Sequence, residues 1–148
     1  MIAAGAARQS RLCYEEAITE AMSRQTFGKP LIQHQLIRYK LAEMARLIEA
    51  LQDNVEKVAY QFKVGLSDQH LGSICALLKV NASKTFEYCA REAAQIFGGS
   101  SIVREGRGKV VERLYREVRG AAIPGGSEEI LLDFAVRNAI AQASAAKL

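Results

Sequence analysis

Apolar residues recur at the spacing of an amphipathic helix over most of the chain. The recurrence forms four long stretches and one short one: 2–24, 30–64, 67–97, 109–119 (the short one) and 128–146. In the second stretch the apolar positions follow a single stripe, and some thirty residues at a rise of 1.5 Å would reach roughly 45 Å. The pattern therefore predicts an all-α chain dominated by long helices.

Polar residues and glycines mark the ends of these helices. Ser67, followed by Asp68, is placed to cap the third helix, and Gly98 and Gly99 are placed to end it. The longest connection is the glycine-rich "GGSSIVREGRG" at 98–108. Long helices joined by short loops pack antiparallel. We therefore predict an up-and-down four-helix bundle with a short extra helix, an elaborated connection, before the last bundle helix.

The composition is that of one globular domain, and the distribution of charge argues against nucleic acid as a partner. Of the 148 residues, 49% are hydrophobic and 24% are charged. The net charge is +4, but the 20 basic and 16 acidic residues are interleaved, so nucleic acid is not expected as a partner. The positive excess would either face a phosphorylated ligand, at "REGR" (104–107) or at Arg113, Arg116 and Arg119, or form a solvated helix face.

Cysteine and histidine usage argues against disulfides and metal. The three cysteines, Cys13, Cys75 and Cys89, are widely spaced without a CxxC pair, which indicates buried thiols in a reducing compartment. With only His34 and His70 and no HExxH, we expect no metal site. No apolar run is long enough to span a membrane and the N-terminus lacks the order of a signal peptide, so we expect a soluble protein.

The stretch "IPGGSEEI" at 123–130 has the composition of a helix cap. Pro124 disfavours helix before it, the next two glycines allow turn dihedrals, and Ser127 precedes a first turn with two carboxylates. The same cap leaves backbone N–H groups at a helix N-terminus, where an oxyanion, a phosphate or a polarised carbonyl can be held. A structural role and a functional role are both compatible with the stretch.

Three motifs follow one another along the chain: "RQTFGK" within residues 13–45, "QIFGG" at 95–99 and "IPGGSEEI". Together they resemble the C-terminal helical domain of the acyl-CoA dehydrogenases over essentially the whole chain. In that family the domain is a four-helix bundle joined to two further domains, with FAD between domains and subunits. The resemblance implies that residues 1–148 are a fragment of a longer protein. The helix that begins without a cap at "MIAAGAA" agrees with this expectation.

The resemblance also implies binding residues. The first motif would hold the FAD pyrophosphate and adenosine across the subunit boundary, a task for which the planar fork of Arg24 is suited. The alternative for Arg24 is a cation at a helix C-terminus, favoured by the helix dipole. The implied cofactor-binding residues are Arg24, Phe27, Gln35, Gln95, Gly98, Gly99, Ser127 and Glu129. The implied substrate-binding residues are Pro124, Gly125 and Gly126.

The catalytic base that the resemblance requires is missing from its usual position. The family's reaction takes a proton from the carbon next to a thioester, and a carboxylate must accept that proton. The corresponding residue here is Gly125, and we expect the base upstream of Met1, as in family members that carry it on the first bundle helix. Glu128 and Glu129 lie past the site, and Glu15, Glu16 and Glu20 fit the polar face of the first helix. We expect no catalytic residue within this chain.

The expected function is therefore that of the C-terminal domain of an FAD-dependent acyl-CoA dehydrogenase, inactive when isolated. The implied partners are an acyl-CoA substrate, FAD, further copies of the chain in a dimer or tetramer, and an electron-accepting flavoprotein. The implied compartment is the cytoplasm or the mitochondrial matrix. Two alternatives stay open: a non-catalytic helical module for oligomerisation or partner binding, and a relative that oxidises a substrate other than an acyl-CoA.

Overall fold

The computed structural model describes residues 1–145, apart from the side chain of Gln69. Its described helices are α1 Ile2–Ser23, α2 Gln35–Lys63, α3 Asp68–Phe97, α4 Lys109–Ala122 and α5 Glu128–Ala145. A hairpin of two short strands, β1 Gln25–Thr26 and β2 Lys29–Pro30, and 3₁₀ turns at Leu31–Gln33 and Gly98–Ile102 join them. The all-α prediction is confirmed, with helix limits within a few residues of those predicted. Position 146, the predicted end of the last helix, lies outside the described residues.

Helix α3 is the centre of the fold, because it packs against each of the other four described helices. Its contact with α1 is the most extensive, and small side chains on α1 let the two backbones approach closely. The buried residues of α1 are Ala6, Ala7, Ser10, Cys13, Ala17, Glu20 and Ala21. Phe86 of α3, fully buried, packs in the same core cluster as Met44 and Leu51 of α2 and Leu114 of α4.

Helix α4 contributes to this core and is more than an elaborated connection. Val111, Leu114 and Val118 are buried at the three- and four-residue spacing of one helix face. The helix packs against both α1 and α3. The described helices are therefore arranged around α3, and the up-and-down order of four of them stays a prediction.

The segment between α1 and α2 forms a tight hairpin that the helical pattern does not predict. Gln25 pairs with Pro30 and Thr26 with Lys29, which leaves Phe27 and Gly28 as the central turn residues. Both have positive φ, 51° and 77°, as a two-residue type I′ turn requires. This backbone conformation is uncommon for phenylalanine, and its ring is 96% exposed. A strained turn thus presents an aromatic side chain to the surroundings.

Helix α5 exposes apolar side chains on more than one side, between polar residues. Among its described residues Ala135 is buried, whereas Ile130, Phe134, Val136 and Ile140 are exposed. Within residues 1–145 no helix combines the length and the apolar character needed to cross a membrane. The exposed apolar residues of α5 therefore form part of the surface of the described domain.

The three cysteines differ in their surroundings. Cys13 and Cys89 are buried, as predicted, but Cys75 is only half-buried, so the prediction is wrong for that thiol. Burial raises the pKa of Cys89 to about 12. Burial, and then the neighbouring Cys89, raise the pKa of Cys13, and burial raises that of Cys75 as well. All three thiols are free.

These differences predict selective alkylation of the native protein. At pH 8 iodoacetamide should label Cys75 first, since a thiolate is the reactive species and access to Cys13 and Cys89 is closed by packing. Mass spectrometry of peptides from native and urea-unfolded protein would measure the labelling. Equal rates at Cys75 and Cys89 in the native protein would contradict the described core.

Candidate functional site

The first two sequence motifs meet where α1 and α3 end. The Arg24 Nη1 atom donates a hydrogen bond of 3.2 Å to the Phe97 carbonyl, the last residue of α3. A Cβ atom on Gly98 would lie 3.6 Å from that same Nη1. The structure therefore brings together two motifs that are more than seventy residues apart in the sequence.

The surface around this contact is open and rich in donors. Gln95 and Gly99 are exposed beside it at the end of α3, and no atom lies within 4 Å of a Cβ placed on Gly99. Phe27 projects from the hairpin that follows Arg24, with its ring edge-on to His34 at 6.1 Å between centroids. Gln35, also exposed, begins α2 immediately after that histidine.

The position of Arg24 is compatible with both roles considered for it, a phosphate-binding residue and a cation at a helix C-terminus. It is the C-cap residue of α1, and its side chain binds a carbonyl at the C-terminal end of α3, which is the placement that a helix dipole favours for a cation. A guanidinium carries five N–H donors in a planar fork. The bond to Phe97 therefore leaves donors that suit a phosphate group.

Glu20 does not lie on a polar helix face, so that expectation is wrong. It is 5% exposed, and its Oε1 atom lies 3.2 Å from Arg107 Nη1. Among the described residues Glu20 Oε1 has no hydrogen-bond partner, so the contact with Arg107 is an ion pair. Because Glu20 engages Arg107, the pair ties the glycine-rich connection to α1. Arg107 is accordingly a weaker candidate for a phosphorylated ligand than Arg104 or Arg113.

The third motif forms the connection between α4 and α5, and the predicted cap is confirmed. The Ser127 Oγ atom accepts a hydrogen bond from the Ile130 N–H at 3.4 Å, and the Ser127 carbonyl accepts one from Leu131 at 3.0 Å. Hydrogen bonds from its own backbone N–H and from Ser127 lower the pKa of the exposed Glu129. Gly125 and Gly126 have φ of 74° and 107°, values that other residues rarely adopt.

Ser127 and Ser67 offer a matched test of capping. Both precede a helix, but Ser67 makes no side-chain capping bond, contrary to the expectation for its hydroxyl. We expect Ser127→Ala to lower stability by about 1 kcal/mol and Ser67→Ala by clearly less. Thermal unfolding of both variants measures the difference. Equal losses would mean that the 3.4 Å bond at Ser127 contributes nothing specific.

The third motif is not adjacent to the first two. Ser83, in the middle of α3, donates a hydrogen bond to the Glu128 carboxylate. From Ser83 to Phe97 the helix rises about 21 Å at 1.5 Å per residue. The candidate residues therefore form two groups on this chain. The end group consists of Arg24, Phe27, Gln35, Gln95, Gly98 and Gly99. The side group, at the α4–α5 connection, consists of Pro124, Gly125, Gly126, Ser127 and Glu129.

Two cavities adjoin the side group. The larger, of about 560 Å³, lies between the start of α1, the end of α2 and α3, with Ile2, Val58 and Phe62 among its largely apolar walls. The smaller, of about 200 Å³, is bounded by Gly125, Phe134 and residues of α3. Cys75 and Lys79 line both. Within residues 1–145 no group of three histidine, cysteine, aspartate or glutamate side chains could hold a metal ion.

Comparison with known proteins identifies the family of the chain. The sequence model of the family described as "Acyl-CoA dehydrogenase, C-terminal domain" matches residues 1–140. The chain belongs to the acyl-CoA dehydrogenase family, as a C-terminal domain. It is 45% identical over 140 residues to the acyl-CoA dehydrogenase AFT10-1 of Alternaria alternata, covering 91% of this chain and 32% of that protein. The chain thus spans about a third of the length of this relative.

Solved structures share the fold. A probable acyl-CoA dehydrogenase from Mycobacterium abscessus superposes with a TM-score of 0.85 at 33% identity, over 92% of this chain and 35% of that one. The butyryl-CoA dehydrogenase of Megasphaera elsdenii gives a TM-score of 0.85 at 29% identity, over 94% and 35% of the two chains. The acyl-CoA dehydrogenase domain therefore has its family's helical architecture.

Sequence reasoning missed two residues of this acyl-CoA dehydrogenase domain. Lys79, 7% exposed, binds the α4–α5 connection from α3, and a lone lysine within the apolar run "ICALLKV" was the available signal. Gly108 lies against the 3₁₀ turn after α3, where an added Cβ would be 2.0 Å from the Ser100 carbonyl oxygen. Its position at the end of a glycine-rich connection gave no indication of that contact.

Proposed function

We propose that this domain is part of an enzyme that dehydrogenates the α,β bond of an acyl-CoA thioester with FAD. The observation that carries the proposal is the placement of the Arg24 guanidinium beside the glycine turn that ends α3. A cation with spare donors next to an open glycine backbone suits the phosphates of a dinucleotide. The family to which the domain belongs supports the same cofactor.

The end group would bind the phosphate and adenosine parts of FAD, and the side group would contact its flavin ring, which is the reactive part. Arg24, Gln95 and the backbone of Gly98 and Gly99 would hold phosphate and adenosine, with Phe27 and Gln35 beside them. Ser127 and Glu129 would offer polar contacts at the other group. Bound FAD would supply a hydride acceptor. Because the two groups are about 21 Å apart along α3, one chain would contact two cofactors or the two ends of an extended one.

The side group would contribute substrate binding and electrostatic stabilisation. A backbone N–H at Gly125 can donate to a thioester carbonyl and stabilise the enolate-like transition state, and glycine supplies that donor as well as a glutamate does. Pro124 and Gly126 would form the rest of the substrate-binding surface beside Gly125. The apolar cavities beside the turn would exclude water from the acyl chain.

The proton acceptor would come from outside the described residues. Glu128 is engaged by the Ser83 hydroxyl, and Glu129 is exposed with its pKa lowered, which makes a carboxylate a weaker base. The hydrogen bond from Ser83 occupies the Glu128 carboxylate, and the lowered pKa of Glu129 is unfavourable for a general base. We therefore keep the expectation of a base on another part of the longer protein.

The apolar surface of α5 supports assembly with other copies or domains. We propose a dimer or tetramer in which the end group binds the FAD of a neighbouring subunit. We propose an electron-accepting flavoprotein as the partner that takes electrons from reduced FAD.

The compartment and the metabolic role are also part of the proposal. The free, widely spaced thiols are compatible with the cytoplasm or the mitochondrial matrix. The proposed reaction is compatible with a role in fatty acid metabolism.

The proposal is tested on the full-length protein. We expect bound flavin absorbance after purification, bleaching of that absorbance by acyl-CoA under anaerobic conditions, and acyl-CoA-dependent reduction of a dye. Flavin binding without bleaching by acyl-CoA thioesters of any chain length would favour a relative with another substrate. Absence of flavin binding to the intact protein would favour the non-catalytic module and overturn the proposal.

A further inference from the structure

The ammonium group of Lys79 is buried beneath the α4–α5 connection. It lies in the middle of α3, and the residue is 7% exposed. Its Nζ atom donates to the carbonyl of Ala122, the last residue of α4, and to the carbonyl of Gly126 at 2.8 Å. One side chain thus binds the connection at both of its ends.

Burying an ammonium group is costly unless its donors are satisfied. Here the acceptors are main-chain carbonyls, which make charge-assisted hydrogen bonds that are stronger than neutral ones. An apolar side chain would fill the same space without that cost. The lysine at this position is therefore better explained by what it holds than by packing.

The connection that it holds has few constraints of its own. Gly125 and Gly126 carry no side chains, and their positive φ values lie in a region that glycine enters and leaves readily. The backbone bonds at its edges are those from Ile123 to Arg119 and from Leu131 to Ser127. Between these two bonds, the contacts of Lys79 restrict the orientation of the peptide groups.

The Lys79 side chain lines both cavities; Gly125 lines the smaller one, and Ile2, which lies against Gly125, lines the larger one. The turn, the lysine and the cavities are therefore one structural unit. Displacement of the turn by a fraction of an ångström would change how Gly125 meets a group bound in the smaller cavity.

We propose that Lys79 is a positioning residue, which orients the backbone of Gly125 toward the thioester carbonyl by holding the carbonyls of Ala122 and Gly126. This inference rests on the proposed acyl-CoA dehydrogenation. In this role the ammonium group of Lys79 binds main-chain carbonyls of the turn and takes no part in the chemistry itself. It acts through the turn, and its removal should change turnover more than FAD binding.

The test compares Lys79→Met with Lys63→Met in the full-length protein. Methionine keeps the unbranched shape but removes all three donors, and Lys63 is an exposed lysine at the end of α2. We expect Lys79→Met to lower kcat for acyl-CoA-dependent dye reduction by about 10- to 100-fold, with FAD affinity within about two-fold of the unmodified protein. Lys63→Met should change neither value.

Hydrogen exchange separates positioning from general destabilisation. In Lys79→Met the amides of Ile123, Ile130 and Leu131, at the edges of the turn, should exchange faster, while the amides of α1 and α2 keep their rates. Lys79→Arg retains charged donors and should keep slow exchange and most of kcat. If Lys79→Met does not fold, Lys79→Arg compared with Lys79→Gln decides the same point.

Unchanged exchange at the turn in Lys79→Met would overturn the inference, as would a fall in kcat that only follows loss of FAD or of folded protein. Equally fast exchange in Lys79→Arg would show that packing, not donation, holds the turn, and would overturn it too. If the unmodified protein oxidises no acyl-CoA, the proposed function fails. The exchange experiment still decides whether Lys79 holds the turn.

Discussion

Replacing Arg24 by alanine in the full-length protein should weaken FAD binding about ten- to a hundred-fold, or about 1.5–3 kcal/mol. The expected loss is large because a guanidinium makes charge-assisted, two-pronged hydrogen bonds to phosphate oxygens. The fold should change little, since the bond to the Phe97 carbonyl is a single contact of 3.2 Å at a half-buried position. Isothermal titration of the apoprotein with FAD measures the affinity, and thermal unfolding of the apoprotein measures the fold.

Two further variants serve as controls for this experiment. Arg46→Ala removes an exposed arginine of α2 that pairs with Glu43 one helical turn away, and should alter neither measurement. Arg24→Lys keeps the charge but loses the fork, so its affinity should be intermediate. If Arg24→Ala lowers the unfolding temperature and leaves FAD affinity intact, this arginine only caps the ends of α1 and α3.

Replacing Gly108 by alanine should destabilise the domain by about 1–3 kcal/mol or more. The new Cβ would lie 2.0 Å from the Ser100 carbonyl oxygen and 2.5 Å from its carbonyl carbon. Both are backbone atoms, so no side-chain rotation can relieve the overlap and the 3₁₀ turn Gly98–Ile102 must move. Since that turn begins at the glycines of the end group, FAD affinity should fall as well.

Gly120→Ala, inside the helix α4 that Gly108 precedes, is the matched control. A Cβ at Gly120 has no atom within 4 Å, and alanine is the better helix former, so stability should rise by about 0.5–1 kcal/mol. Thermal unfolding and FAD titration of both variants are the measurements. Similar behaviour of Gly108→Ala and Gly120→Ala would show that the described approach of Ser100 to Gly108 is incorrect.

The helices and their limits were predictable because they depend on local features of the chain. Apolar spacing indicates which residues can face a core, and cap residues such as Ser127 act within one turn of their own position. The hairpin at Phe27 was not predicted, because its short strands carry no period and phenylalanine rarely adopts positive φ. The half-buried state of Cys75 depends on neighbouring helices and was likewise outside the pattern.

The motifs also identified candidate residues, but not how they are grouped. Arg24 and Gly98 were each assigned to FAD by resemblance, and their roles stay predictions. Their contact through Phe97 is a finding of the tertiary structure. The pattern placed Glu20 on a polar face, whereas packing buried it beside Arg107, because a charged residue on a small-residue helix can be covered by a distant loop.

By itself, the sequence determined the all-α class, the positions of the helices and the three motifs, because hydrophobic period, capping and glycine placement are encoded within a few residues. Only the tertiary structure decided which groups lie opposite one another: the Lys79 ammonium against two carbonyls from a later connection, and Ser100 against Gly108. Such contacts join segments through backbone atoms, which every residue possesses. A sequence pattern therefore contains no signal for the partner, and the packing of α3 against its neighbours supplies it.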